Sequence, residues 1–166
     1  LKKLFENKQL DVLLVSEAMT EHISKCIFKP WKQVGHYAVF SDDSSLKEKE
    51  VLSFSDLMQE RLITLHPKWI PFRFTDILRE NFIAHAKQQN DFRCENDQSG
   101  LLLAKTGYGV VIFPENYLPK QMEGMAKRPI EPEHFGEMYG IAYSAEEATE
   151  IQLYFVKVFL EQEAEP

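Results

Sequence analysis

Apolar positions in this chain come in short runs, and their spacing alternates between that of strands and that of helices. Leu1, Leu4 and Phe5 are helically spaced and predict the end of a helix over 1–8. The continuous run Val12-Leu13-Leu14-Val15 after Asp11 predicts a strand covered on both faces, with Ser16–Met19 as a loop at its carboxyl end. Residues 23–28 and 36–40 read as two further strands separated by a turn over Pro30–Gly35, and Asp42–Ser45 is a polar loop. One or two helical turns follow over 53–58, then a buried strand over 62–65. The loop His66–Arg73 holds two prolines, each lacking an amide hydrogen and biasing its predecessor away from helix. A long helix is predicted over 75–89, a strand over 91–95, and a helix over 98–106 with Gly107 just past its end. Residues 109–113 are a buried strand closed by Pro114, Gln121–Arg128 is irregular, and 135–143 alternates as a half-buried strand. Ser144 and Glu147 have capping-box spacing and predict the start of a last helix, with Ile151, Phe155, Val158 and Phe159 as its apolar stripe.

Strands alternating with helices, with a return strand before the last helix, fit two α/β lobes joined by crossover strands better than one doubly wound sheet. The expected division is 1–40 with 121–166 as the first lobe and 41–120 as the second.

Composition narrows the function classes. Of 166 residues, 44% are hydrophobic and 27% charged, the balance of a globular domain. The net charge of -7 and the lack of a basic stripe argue against a segment that itself grips nucleic acid. No apolar run approaches the ~20 residues that span a bilayer, so no membrane association is expected. Cys26 and Cys94 are far apart and in no metal spacing, and read as reduced thiols of a cytoplasmic protein. The five histidines form no ligand cluster, so no metal site is expected. There is no G-x-S-x-G elbow, P-loop or three-glycine dinucleotide fingerprint, so neither catalytic residues nor a cofactor are assigned.

What remains informative is a set of strand ends. His66–Arg73 and Asn96–Ser99 each follow a predicted strand and precede a helix, where backbone amides suit an anion. Ser16 and Glu17 follow a third strand. Each has a plainer reading as well: Trp69, Ile70 and Phe72 pack a loop onto the core, and Gln98 and Ser99 cap a helix.

With these segments in order, the chain resembles the effector-binding domain of LysR-type transcriptional regulators. The resemblance is carried most clearly by residues 98–114, QSGLLLAKTGYGVVIFP, which looks like that family's helix–Gly–x–Gly–strand–Pro signature. Leu10–Val15, His36–Leu46, Phe54–Leu57 with Leu62–Thr64, and Met138–Leu160 match in order around it. The resemblance implies a type 2 periplasmic-binding-protein-like fold, with the first lobe incomplete because the family domain has a strand, a helix and a strand before the position of Leu1. It also implies a cytoplasmic sensor whose lobes close on a small-molecule effector of polar or anionic character. Thr64, His66, Phe72, Gln98 and Ser99 from one lobe, with Ser16 and Glu17 from the other, are the expected contacts. Homodimers or tetramers of the full-length protein would pair through the 75–89 helix, and DNA would be met only by an N-terminal winged helix-turn-helix outside this chain. Two rivals share the fold: a solute-binding protein of a transport system, and an enzyme of the deaminase or prephenate-dehydratase type, for which no motif is present.

Overall fold

A computed structural model describes residues 2–21, 23–65, 91–131, 136–146 and 148–162. The expected loop at 66–73 and helix at 75–89 lie outside them. The chain forms two compact units, Leu1–Gln33 with Glu137–Pro166, and Val34–Gly136.

In the first unit, α1 (Lys2–Glu6) leads into β1 (Val12–Ser16), which runs antiparallel to β7 (Gly136–Ser144) with Val12 opposite Tyr143 and Ser16 opposite Tyr139. β2 (Cys26–Ser41) flanks β7 on its other side. Ala142 packs with Phe5, Leu13 and Val15 on one face of β7, and Ile141 and Tyr143 pack with Val156 on the other. β7 is therefore the strand buried on both faces, whereas Leu14 of β1 is 55% exposed instead of covered as expected. Close approach explains Gly140, because a Cβ there would collide with the Lys29 carbonyl and the Phe28 ring of β2. Ser16–Met19 is not a loop: Glu17–Thr20 closes one helical turn, α2, directly from the strand.

β2 corrects a second expectation. Residues 26–41 form one strand, not two strands around a turn. Pro30 is exposed, and its fixed φ is compatible with extended backbone wherever its missing amide is not needed by a ladder.

In the second unit the later part of β2 pairs antiparallel with β5 (Val110–Pro114) and with β6 (Met125–Pro129). β5 and β3 (Leu62–Leu65) run parallel, as do β3 and β4 (Asp91–Cys94). β6 was expected to be irregular, because its Lys127-Arg128-Pro129 end carries no alternation. Its pairing with residues 37–41 joins residues 125–129 to the end of β2 within the unit Val34–Gly136. Ala38, Phe40, Leu52, Leu57 and Val110 fill one face of this sheet. Val39, Ile63, Val111 and Phe113 fill the other, together with Ala104 of α4 (Asp97–Lys105). The central strands β3 and β5 are covered on both sides, as parallel strands usually are.

Helix ends follow local chemistry. The short helix α3 (Phe54–Leu57) starts with a reciprocal capping box between Ser53 and Asp56. α1 and α4 end alike. Lys8 and Gln9 donate to the carbonyls of Phe5 and Leu4, and Gly107 and Tyr108 donate to those of Ala104 and Leu103, the two-bond Schellman pattern in both cases. The residue with positive φ is Gly107 at 75° in one and Lys8 at 59° in the other.

The last helix, α5 (Glu150–Gln162), starts later than expected. Ser144 is the final residue of β7, and Glu147 lies outside the described residues. The box is built instead by Thr149 and Gln152: the Thr149 amide donates to Gln152 Oε1 at 2.8 Å, and the Gln152 amide to Thr149 Oγ1 at 3.3 Å. The inward residues are Val156, Phe159 and Leu160, whereas Ile151 is 81% and Phe155 50% exposed. Nearly every position from 151 to 160 is apolar, so the pattern alone does not select the buried face.

Candidate functional site

Of the seven expected contacts, Ser16, Glu17, Thr64, Gln98 and Ser99 are described, and His66 and Phe72 lie outside the described residues. In the first unit, Ser16 ends β1 and is 0% exposed, and its hydroxyl has no hydrogen-bond partner. It occupies the N-cap position of α2 with extended backbone, yet its side chain makes no cap bond. Glu17 follows as the exposed first residue of that turn, and its carbonyl accepts from Thr20 Oγ1 at 2.6 Å.

In the second unit, Thr64 lies near the end of β3, opposite Arg93 of β4. Its hydroxyl is also inaccessible and unpartnered. A buried hydroxyl without a partner is uncommon and costs about 1–3 kcal/mol of desolvation. Ser16 and Thr64 share this condition, and both stand at carboxyl ends of strands that open α/β sheets use for ligands.

Gln98 and Ser99 are exposed in the first turn of α4, but the anion site expected of their amides is already filled from within. Asn96, the N-cap, accepts from the Ser99 amide at 2.9 Å, and the Asp97 carboxylate accepts from the Gln98 amide at 3.0 Å. The capping role considered for Gln98 and Ser99 thus belongs to Asn96, and Asp97 sets a negative charge at the positive end of the helix dipole. What these two residues keep available is side-chain hydrogen bonding. The cue missed in the sequence is Asn96, a strong N-cap residue three positions before Ser99.

Cys26 and Cys94 are free thiols, one in each unit, and burial pushes both above the ordinary thiol value, which disfavours the reactive thiolate. Among the described residues no group of three or more His, Cys, Asp and Glu is placed to hold a metal ion. No described helix is long and apolar enough to cross a membrane.

Comparison with known proteins adds the family. No match to a protein of curated function was found. Solved structures with the same fold include a reduced form of OxyR from N. meningitidis, at 13% identity and a TM-score of 0.74 over 98% of this chain and 74% of that one. Full-length BenM matches at 15% identity and 0.74, over 97% of this chain and 53% of its own length. The effector-binding domain of QuiR, solved with shikimate, matches at 17% and 0.75 over 96% and 75%. The chain thus spans about half of full-length BenM and about three quarters of the OxyR and QuiR chains. The fold is the type 2 periplasmic-binding-protein-like fold of these regulators. The LysR substrate binding domain family matches residues 1–162, and the chain belongs to that family, the effector-binding domain of LysR-type transcriptional regulators.

Proposed function

We propose that this domain senses a small polar molecule through strand-end hydroxyls, Ser16 in the first unit and Thr64 in the second, with Glu17, Gln98 and Ser99 adding side-chain hydrogen bonds. His66 and Phe72 complete the proposed set. The supporting observation is the pair of buried, unpartnered hydroxyls, each held where its own strand ends. Both hydroxyls are sealed in the free protein, so a ligand reaches them as the strand ends open locally; bonding to them then removes a desolvation cost, and the bound arrangement gains relative to the free one. That differential affinity is what regulation by a metabolite requires. The occupied start of α4 favours a ligand recognised by hydrogen bonds over one held by helix-terminal amides.

In this reading the domain acts in the cytoplasm without catalysis of its own, as part of a homodimer or tetramer, and reaches DNA only through a separate winged helix-turn-helix. A transport solute-binding role is not favoured, since the family is that of transcriptional regulators. The test is thermal stabilisation of the chain by a panel of small carboxylates, amino acids and aromatic acids. A saturable rise in Tm with one member, reduced in Thr64→Val, supports the proposal. No rise with any member, or a rise unchanged in Thr64→Val and Ser16→Ala, counts against it.

A further inference from the structure

The first unit also contains a cavity of about 370 Å³, at the end of its sheet away from Ser16. Asp11 precedes β1 there, Ser144 closes β7, Lys25 precedes β2, and Thr149 and Gln152 begin α5. Val12 pairs with Tyr143 at this end and Ser16 with Tyr139 at the other, so about 13 Å of strand separates the two places. Phe5 and Leu10 supply an apolar floor.

Two features set this cavity apart. Lys8 and Lys25 are the non-glycine residues with positive φ among those described, at 59° and 57°, and both line it. At Lys8 the left-handed backbone closes the end of α1, whereas at Lys25 it stands directly before β2; it is sterically costly for an L-residue, and such positions gather at ligand clamps. The ionic lining is also mixed, with two lysines set among Glu6, Asp11 and Glu146. Lys25 Nζ lies 2.8 and 3.0 Å from the two Glu146 carboxylate oxygens, and Gln152 Nε2 donates to Asp11 Oδ1 at 2.7 Å, so opposite charges face the same space from different elements.

We propose that this cavity is a second ligand site, separate from the strand-end site above, for a small zwitterion of the free α-amino acid class. The ligand carboxylate meets Lys8 and Lys25, and its ammonium meets Asp11 and Glu146. Three carboxylates around two lysines disfavour a bare anion, and the lysines disfavour a bare cation. A zwitterion inserted across the Lys25–Glu146 pair presents an opposite charge to each member of that pair.

The test is an amide chemical-shift titration of the full chain with L-alanine, run beside acetate and methylammonium. Saturable shifts at Lys8, Lys25, Glu146 and Gln152 are expected with L-alanine and not with either half-molecule. Lys25→Met and Asp11→Asn, both at exposed side chains, should each weaken L-alanine binding by about tenfold while leaving the spectrum dispersed. No saturable shift at these amides, equal shifts with acetate, or undiminished affinity in the two variants would overturn the proposal. Shifts centred on Ser16 or Thr64 would place L-alanine in the other site and overturn it as well.

Discussion

Thr64→Val and Ser16→Ala test the strand-end site through its cost to the free protein. Each hydroxyl is sealed from solvent without a partner, a state worth about 1–3 kcal/mol against folding. Valine keeps the shape of threonine, so Thr64→Val should recover about 1 kcal/mol, a rise of about 2–4 °C in Tm for a domain of this size. Ser16→Ala forfeits no cap bond, since the serine makes none, but leaves a small void, and about 0.5 kcal/mol is expected. The two sites lie in different units, so the gains should add. The same variants should respond less to effector. At 100 times Kd the wild type gains about 2.7 kcal/mol, and removing one neutral hydrogen bond weakens Kd about fivefold, leaving about 1.8 kcal/mol at that concentration. Circular-dichroism melts with and without ligand read both quantities. Variants that melt lower than wild type without ligand, or that melt higher while keeping the full ligand-induced gain, would refute the reasoning.

Lys8→Gly should stabilise the chain and Gly107→Ala destabilise it, each by about 1 kcal/mol in urea titrations, because both positions close the same helix-end motif with positive φ. Thr149→Ala should cost about 1 kcal/mol by loss of the α5 capping box, whereas Ser144→Ala should stay within about 0.5 kcal/mol. Gly140→Ala should cost about 3 kcal/mol or more, since the new methyl meets backbone and a packed ring. The Lys49 ammonium, then the Ser53 amide and hydroxyl, hold Asp56 down at about 2, so its contribution is complete above the ordinary carboxylate range and is lost as pH falls towards 2. Asp56→Asn should therefore lower stability at pH 7, and the difference from wild type should close in acid melts as pH approaches 2.

Periodicity and punctuation were enough to place most elements. The runs at 12–15, 62–65 and 110–113 are strands because several consecutive apolar residues have few other ways to be buried, and Gly107 ends α4 because that turn needs positive φ. The family signature was readable for the same reason, since it consists of such enforced positions. Ser16 and Thr64 were legible as strand ends, but not as unpartnered hydroxyls, because a missing partner is a property of the surroundings and not of the residue.

Where the chain's own pattern was ambiguous, neighbours decided. Residues 26–41 became one strand because β7, β5 and β6 offered ladders along it despite Pro30. Residues 125–129 became a strand only by pairing with β2, which no local alternation foretold. The buried side of α5 was set by Ile141 and Tyr143 beneath it, among apolar residues that would have served on any side. Local sterics and hydrophobic spacing act within a few residues and are written in the sequence. Pairing across long separations, and the choice among equally apolar faces, depend on what the rest of the chain brings alongside, and that only the folded structure determines.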